Sequence, residues 1–176
     1  MKKLLSIIFL LLAACTAYGY GACRQNAAAP AQAEQNPTLV TPEANNLHFV
    51  RVVQVIDGST IEVTFYNGAI PERVRLIGVD TPEVDLPQLD FTKMSLKNRY
   101  VWLQFDVEPR DRYQRLLGYI WTEKPYDVDN KEEIRDKMFN ARLILNGYAQ
   151  AMTIQPNSRY AELFLEFQRQ ARACPR

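Results

Sequence analysis

One short segment combines residue types that could act together on a phosphate ester. Residues 75–83 read RLIGVDTPE, in which Arg75 lies close in sequence to two acids, Asp80 and Glu83. Carboxylate oxygens are suited to hard divalent cations, and the arginine fork pairs with phosphate oxygens. A cation site beside a fixed guanidinium group is what phosphodiester chemistry requires, so the segment predicts a site of that kind.

The elements that must position this segment are mainly short strands. The pattern predicts five strands, at residues 48–56, 60–66, 72–79, 100–107 and 115–121. Asn67-Gly68 is typical of a hairpin turn between the second and third strands. Five strands of this size favour a small OB-fold barrel in an α+β, mainly β, domain, and an unclosed α+β sandwich is the alternative.

Three helices are expected to accompany the strands. The first is short, at residues 89–97, and follows a predicted loop at residues 84–90. The second begins at Asn130, with Glu133 as its capping partner, and ends at Gly147. The last covers residues 158–172, and its apolar residues repeat at helical spacing.

The histidine and cysteine content excludes several classes of site. His48 is the only histidine, which excludes Ser–His–Asp triads and His-rich zinc sites. The three cysteines have no CxxC spacing, which excludes a zinc ribbon. A metal would therefore be held by oxygen atoms, which favours Ca²⁺ or Mg²⁺. A net charge of +1 gives no sign of a polyanion partner, so nucleic-acid binding would need a local basic patch.

The amino terminus has the pattern of an export signal. Two lysines precede an apolar run that is too short to cross a bilayer and that ends in LAAC, which resembles the bacterial lipoprotein box. We therefore expect a signal peptide at residues 1–14 and lipidation of Cys15, which would anchor the exported protein to a membrane of the cell envelope. Ordinary cleavage near residues 17–19 would instead give a secreted protein.

The remainder of the chain divides into a tether and one domain. Residues 15–46 are rich in Ala, Gln, Asn and Pro and are expected to form a flexible tether, followed by a domain at residues 47–176 that we expect to be a monomer. Cys23 and Cys174 lie near opposite ends of the mature chain. Whether they form a disulfide is left open, because the sequence does not show whether their Cα atoms come close enough.

Several ordered blocks give a more specific resemblance. VIDGSTI, VRLIGVDTPE and DRYQRLLGYIW resemble, in this order, the three signature blocks of the staphylococcal nuclease (thermonuclease) family. MFNARLILNGYA and PNSRYAELFLEFQRQAR resemble the two helices that follow them in the family. The resemblance covers residues 48–172. It implies an OB-fold and Ca²⁺-dependent cleavage of phosphodiester bonds in DNA and RNA.

The resemblance also implies roles at the metal and the reacting water. Asp80 would be a direct metal ligand, and the carbonyl oxygen of Thr81 would be another. Glu83 would position or deprotonate the attacking water.

Arginines would supply the remaining positive charge of such a site. Arg75 and Arg115 would clamp the phosphate and stabilise the charge that builds up in the transition state. Arg112 and Tyr113 would contact a neighbouring phosphate.

The chain departs from the family pattern at the metal site and nearby. Ser59 stands where the family has a second metal-binding Asp, which removes a charged ligand and should lower Ca²⁺ affinity unless Asp57 or Asp85 compensates. Gln114 replaces a glycine between Tyr113 and Arg115, and is expected to restrict the turn or shift Arg115. Thr153 and Gln155 are interpreted as replacing tyrosines that line the nucleotide site, which predicts poorer base stacking.

Two functions follow from this balance. The first is a calcium-dependent nuclease acting on DNA, RNA or both. The second is a catalytically impaired OB-fold module that binds nucleic acid or protein. The retained arginines and acids favour the nuclease, whereas Ser59 favours the impaired module.

Overall fold

A computed structural model describes residues 46–66, 68, 70–81 and 86–173. The predicted signal peptide and the predicted tether up to residue 45 lie outside the described residues, as do Cys15, Cys23, Glu83, Asp85 and Cys174. Every helix among the described residues is too short or too polar to cross a membrane.

Five of the strands close into a barrel, in the order β1-β2-β3-β6-β5. The strands of the described residues are β1 (Leu47–Val55), β2 (Thr60–Phe65), β3 (Glu72–Leu76), β4 (Val79–Asp80), β5 (Tyr100–Gln104), β6 (Leu116–Trp121) and β7 (Gln150–Ala151). β3 and β6 pair in parallel, whereas the other barrel neighbours are antiparallel. The five-stranded barrel predicted from the sequence is confirmed, and the open sandwich is excluded.

Four helices, rather than three, are found among the described residues. They are α1 (Leu86–Leu96), α2 (Lys131–Lys137), α3 (Phe139–Leu145) and α4 (Ala161–Ala173). The loop predicted at residues 84–90 is wrong from Leu86 onwards, because α1 begins there and contains Pro87. Proline is tolerated in a first helical turn, since the N–H that it lacks would have no partner inside the helix.

The single helix predicted from Asn130 to Gly147 is divided at Met138. Asn130 caps α2 as expected, because its side chain accepts hydrogen bonds from the N–H groups of Glu132 and Glu133. Met138 has an extended backbone and forms a β-bridge with Trp121 at the end of β6. The bridge interrupts the helix, so the tertiary contact overrides the apolar helical spacing.

The third strand also ends earlier than predicted. It stops at Leu76, and Gly78 has a φ of +79°, a left-handed conformation that glycine adopts most easily. A Cβ at Gly78 would lie 2.5 Å from the Phe164 ring, so the close approach of α4 also requires glycine. The chain then forms β4, which pairs with β7 and brings Gln150 opposite Asp80.

Asn140 connects the helical layer to the barrel. Its side chain is fully buried, and its Oδ1 accepts a hydrogen bond of 2.9 Å from the N–H of Ile120. Its Nδ2 donates to the carbonyl of Ile77 at 2.8 Å. α3 is thereby attached both to β6 and to the turn that precedes β4.

Replacement of Asn140 with alanine is expected to lower the free energy of unfolding by about 3 kcal/mol, because two buried backbone groups lose their partner. Urea denaturation measures this change. Gln150→Ala, at an exposed position on β7, is the control and should change stability by less than about 0.5 kcal/mol. Equal effects of the two substitutions would contradict the proposed connection.

Candidate active site

The turn between β1 and β2 places Asp57 and Ser59 at one end of the barrel. The Oδ1 atom of Asp57 accepts hydrogen bonds from the backbone N–H of Ser59 at 2.7 Å and from its hydroxyl at 3.1 Å. The hydroxyl of Thr81 in turn donates to the Ser59 oxygen at 3.1 Å. Ser59 is only 4% exposed, whereas Asp57 is exposed. The structure therefore brings three of the predicted metal-site residues into one hydrogen-bonded cluster.

Helix α1 supports this turn from behind. The buried hydroxyl of Thr92 lies 3.0 Å from the carbonyl oxygen of Gly58. A Cβ at Gly58 would lie 2.9 Å from the side chain of Gln88 and 3.3 Å from that of Thr81. Glycine is required here by the close approach of α1, and the helix fixes the turn that carries Asp57 and Ser59.

Arg75 leaves β3 beside the same turn. Its guanidinium donates to the carbonyl oxygens of Ser59 at 3.4 Å and Val79 at 3.2 Å, and lies 3.7 Å from the carboxylate of Asp80. Burial lowers the pKa of Arg75 from its ordinary value. Only 18% of the Arg75 side chain is exposed, against 60% for Asp80. The cation is thus held rigidly, while the carboxylate faces solvent.

Arg115 is held in a comparable way by Asp111. Its Nε donates to Asp111 Oδ2 at 2.7 Å, and its backbone N–H donates to Asp111 Oδ1 at 2.9 Å. Burial alone would raise the pKa of Asp111, but the hydrogen bonds from Arg115 and Tyr113 outweigh it and hold the pKa below its ordinary value. Asp111 therefore stays ionised and fixes the direction of the Arg115 side chain.

Arg112 and Tyr113 form an exposed pair next to Arg115. The guanidinium carbon of Arg112 lies 4.7 Å from the centre of the Tyr113 ring, and that of Arg115 lies 5.5 Å from it. An Arg112 nitrogen donates to the Tyr113 hydroxyl at 2.6 Å. Two guanidinium groups therefore contact one ring, which is 64% exposed.

A pocket of about 500 Å³ brings Arg75 together with the segment 111–115, whereas Asp57, Ser59, Asp80 and Thr81 are not among its lining residues. Arg75, Arg112, Tyr113 and Arg115 line it, together with Glu108, Asp111 and apolar residues from β3, β6 and the segment after β7. Three arginines on one concave surface suit an anionic ligand. A larger hollow, about 770 Å³, lies among α2, α3 and α4, but none of the predicted site residues lines it.

The segment after β7 forms the apolar wall of this pocket. Met152, Ile154 and Gln155 line it, whereas Thr153 does not. Of the two residues interpreted as replacing tyrosines of the nucleotide site, Gln155 therefore lines this pocket and Thr153 does not. None of the wall residues in this segment is aromatic, so the expected lack of a stacking ring there holds.

Gln114 occupies a left-handed backbone conformation in the turn before Arg115, with a φ of +65°. A residue with a Cβ costs roughly 1–2 kcal/mol there. Arg115 nevertheless keeps both hydrogen bonds to Asp111. The substitution of glycine by glutamine therefore strains the turn and leaves that contact in place.

Gln114→Gly is expected to raise the free energy of unfolding by about 1 kcal/mol, because it removes this strain. Thermal unfolding of the variant measures the change. Gln114→Ala retains a Cβ, so it is the matched control and should give no such gain. Equal stabilisation by alanine and glycine would show that backbone strain is not the cause.

The oxygen atoms of the predicted metal-site residues are of the chemical types that bind a hard cation. Asp57, Ser59, Asp80 and Thr81 offer carboxylate, hydroxyl and carbonyl oxygens, which are the ligands that Ca²⁺ prefers. Within the described ranges, however, no cluster of three or more His, Cys, Asp or Glu side chains is placed to hold a metal ion. Glu83, the remaining predicted acid, lies outside those ranges.

Most of the predicted site residues lie close together, but the residue that orients Arg115 was not among them. The structure brings the described members of the predicted set together at one end of the barrel: Asp57, Ser59, Arg75, Asp80, Thr81, Arg112, Tyr113 and Arg115. Asp111 was not predicted as a site residue. Its signal was present, since an Asp four residues before an Arg in a turn can cap the turn and pair with the Arg.

The fold and the pocket define an OB-fold protein with an arginine-lined site for an anionic ligand. The sequence model of the family described as "Staphylococcal nuclease homologue" matches residues 73–175. The chain therefore belongs to the staphylococcal nuclease family, as its sequence blocks predicted.

Individual relatives agree with this placement. The chain is similar to the thermonuclease of Staphylococcus intermedius, with 38% identity over 130 residues that cover 68% of this chain and 69% of the relative. It is also similar to the thermonuclease of Staphylococcus hyicus, with 37% identity over 69% of each chain. An uncharacterized endonuclease of Escherichia coli O157:H7 is 34% identical over 83 residues, which cover 45% of this chain and 52% of that protein. These comparisons support a nuclease, a hydrolase that acts on phosphodiester bonds.

Proposed function

We propose that the protein is a calcium-dependent nuclease that hydrolyses phosphodiester bonds of DNA, RNA or both. One observation carries the proposal: Arg75 on β3 and Arg115 just before β6 line one pocket, and each is held in place, Arg75 by two backbone carbonyls and Arg115 by the Asp111 carboxylate. A phosphodiester gains negative charge on its way to the transition state. Preorganised guanidinium groups stabilise that charge without having to reorganise during the reaction.

Arg75 and Arg115 are proposed to bind the same phosphate, although different groups hold the two side chains in place. Arg75 is anchored by two backbone carbonyls and has most of its surface buried. Arg115 uses Nε to bind Asp111, which leaves its two terminal nitrogens available for a phosphate. Both side chains can therefore direct N–H groups toward the same phosphoryl oxygens, in the two-point manner that arginine allows.

Arg112 and Tyr113 are proposed to bind the next phosphate along the strand. Both lie on the exposed rim of the pocket, beside Arg115. Their contacts would hold the substrate in register without taking part in bond cleavage.

The metal is proposed to be Ca²⁺, held by Asp80, the Thr81 carbonyl, Asp57 and Ser59. When bound, a divalent cation supplies further positive charge and makes a nearby water more acidic. Glu83 is proposed to orient the attacking water. Arg75, which contacts Asp80, would keep that carboxylate near the phosphate that it clamps.

A second function is supported by Ser59. Its hydroxyl is engaged with Asp57 and Thr81, so it offers the cation a neutral oxygen where a carboxylate is expected. Weak metal binding would leave a module that binds nucleic acid or protein and cleaves slowly or not at all. Hydrolysis and binding must therefore be measured separately.

A nuclease assay on the full chain tests the primary proposal. Plasmid DNA and single-stranded RNA are incubated with Ca²⁺ up to about 10 mM, above the affinities of weak protein sites. Cleavage that a chelator abolishes is the expected result. The Arg75→Lys/Arg115→Lys variant, purified in parallel, excludes a contaminating nuclease. If neither substrate is cut with Ca²⁺, Mg²⁺ or Mn²⁺, the binding module is favoured.

We further propose that the protein is an exported lipoprotein, anchored through Cys15, whose domain is a monomer. The LAAC sequence supports the anchor. The chain expressed in bacteria is expected to incorporate a labelled fatty acid, whereas Cys15→Ser should incorporate none. Absence of label in the parent chain, or equal labelling of both chains, would contradict lipidation at Cys15.

A further inference from the structure

An exposed aromatic surface covers the outer side of the β1–β5 pair. β1 and β5 are antiparallel, with Phe49 opposite Trp102 and Arg51 opposite Tyr100. The ring of Phe49 is stacked on that of Tyr100, with centres 5.2 Å apart and planes 13° apart, and lies 4.9 Å from the ring of Trp102. We call these three rings, with Tyr66 and Arg51, the aromatic face.

Sheet stability alone does not account for this surface. Cross-strand aromatic pairs stabilise a sheet, and single exposed apolar side chains are common on proteins. Here, however, Phe49 is 42% exposed, Tyr100 56% and Tyr66 93%, and they lie together on one side of the barrel. Contiguous exposed rings typically mark a surface that binds something.

The charges beside the rings are positive. Lys124 Nζ lies 4.8 Å from the centre of the Trp102 ring. Arg51 stands between Thr64 on β2 and Tyr100 on β5, and no hydrogen bond or ion pair joins its side chain to another described residue. Glu62, a carboxylate further along β2, is already paired with Arg73. The net charge of the whole chain is only +1, so these cations form a local basic surface.

A hollow of about 230 Å³ adjoins the stacked rings. It is lined by Phe49, Arg51, Thr64, Tyr66 and Tyr100, among others, and the lining residues that the structure describes include no acid. For comparison, a cavity of roughly 150 Å³ accommodates a benzene ring. The hollow is therefore large enough for a planar ring, and aromatic side chains and the guanidinium group of Arg51 line it.

We propose that the aromatic face binds single-stranded nucleic acid outside the cleavage pocket. Bases would stack on Phe49, Tyr100 and Trp102, while Arg51 and Lys124 would contact the backbone phosphates, which is how strands are bound without sequence preference. The barrel does not need the exposed rings, the neighbouring cations or the hollow for its stability. A single strand of nucleic acid would contact all of them through its bases and phosphates.

The position of the face separates it from the proposed site of cleavage. Phe49 lies near the start of β1 and Asp57 in the bend that follows its end, so eight residues separate them, which span at most about 26 Å when fully extended. A strand of several nucleotides held on the face could therefore extend to the pocket or leave it. The inference adds a holding surface to the proposed nuclease, and it does not require that the pocket be active.

Binding is tested with the full chain and a fluorescein-labelled oligothymidylate, with a chelator present so that no cleavage occurs. Phe49→Ala/Tyr100→Ala is expected to weaken binding roughly tenfold or more, since each stacked base contributes on the order of 1–3 kcal/mol. Tyr126→Ala is the matched control, because Tyr126 is 94% exposed and makes no ring contact with another described residue. An unchanged dissociation constant for the double variant would overturn the proposal.

Arg51→Gln keeps every ring and guards against a folding defect in the double variant. It is expected to weaken binding severalfold and to reduce the salt dependence of the affinity, because one phosphate contact is lost. An unchanged salt dependence would overturn the role of Arg51.

Tryptophan fluorescence gives an independent measurement. The chain has two tryptophans, of which Trp121 is fully buried and Trp102 is partly exposed. Quenching by the oligonucleotide is therefore expected to disappear in Trp102→Phe, and quenching that persists would overturn the stacking. Binding to phosphatidylglycerol vesicles through the same residues, with no binding of the oligonucleotide, would overturn it in favour of a lipid surface. Because no arm needs cleavage, failure here is distinguishable from failure of the proposed nuclease activity.

Discussion

Replacement of Arg75 with lysine is expected to lower kcat/KM for phosphodiester cleavage about 10²–10³-fold. The guanidinium of Arg75 contacts the Ser59 and Val79 carbonyls and the Asp80 carboxylate at the same time. A lysine keeps the charge but has a single nitrogen, which cannot hold these anchors and also bind two phosphoryl oxygens. The loss should fall mainly on kcat, since the phosphate carries more charge in the transition state than in the ground state.

Arg73→Lys is the matched control for this experiment. Arg73 lies two residues earlier on β3, its side chain is 63% exposed, and it pairs with Glu62 away from the pocket. Steady-state kinetics on one DNA substrate compare the two variants, and thermal unfolding checks that both are folded. If Arg75→Lys cleaves as fast as the parent, or if both variants lose activity equally, Arg75 does not stabilise the transition state.

The barrel could be predicted from the sequence because its signals are local. Alternating apolar residues identify β1 and β2, and Gly68 donates to the Phe65 carbonyl in the turn where the sequence predicted a hairpin. The breaks in regular structure depend on partners distant in sequence. Met138 leaves its helix to bridge Trp121, and Gly78 turns where Phe164 of α4 approaches. The apolar pattern of a short stretch of sequence does not reveal partners that lie far away along the chain.

The site divides in the same way. Arg75 and Asp80 lie in one segment, so their proximity followed from spacing alone, and the structure places them 3.7 Å apart. The pocket wall at Met152 and Ile154 depends on the pairing of β4 with β7, which are two residues long. Strands this short leave no recognisable periodicity. The approach of α1 to Gly58 is likewise a tertiary contact that the turn sequence does not reveal.

Introduction of a carboxylate at Ser59 is expected to increase Ca²⁺ affinity about tenfold or more, and to increase cleavage at limiting Ca²⁺. Ser59 is 4% exposed and lies within hydrogen-bond distance of Asp57 and Thr81, so an aspartate there would join the existing oxygen cluster. Calcium affinity rises with the number of charged ligands. Calorimetry on Ser59→Asp and on the parent chain measures this gain without relying on activity.

Ser59→Asp is also expected to change thermal stability, in opposite directions with a chelator and with Ca²⁺. In a chelator, the new carboxylate lies beside Asp57 without a counter-ion, so the thermal midpoint of Ser59→Asp should fall below that of the parent. In the presence of Ca²⁺, the bound cation neutralises this repulsion and stabilises the folded state. The thermal midpoint of Ser59→Asp should therefore rise with Ca²⁺ concentration. Ser59→Asn, which has the size of aspartate but no charge, is the control and should show no such rise.

The outcomes of these measurements separate the two proposed functions. If Ser59→Asp gains both Ca²⁺ affinity and cleavage, the arginine clamp is competent and the parent site is limited by its missing ligand. If it gains affinity without cleavage, the parent is better described as a binding module, because a bound cation beside Arg75 and Arg115 would then be insufficient for hydrolysis. If it gains neither, and behaves like Ser59→Asn, the turn at Asp57 does not hold a cation and the proposed metal site is wrong.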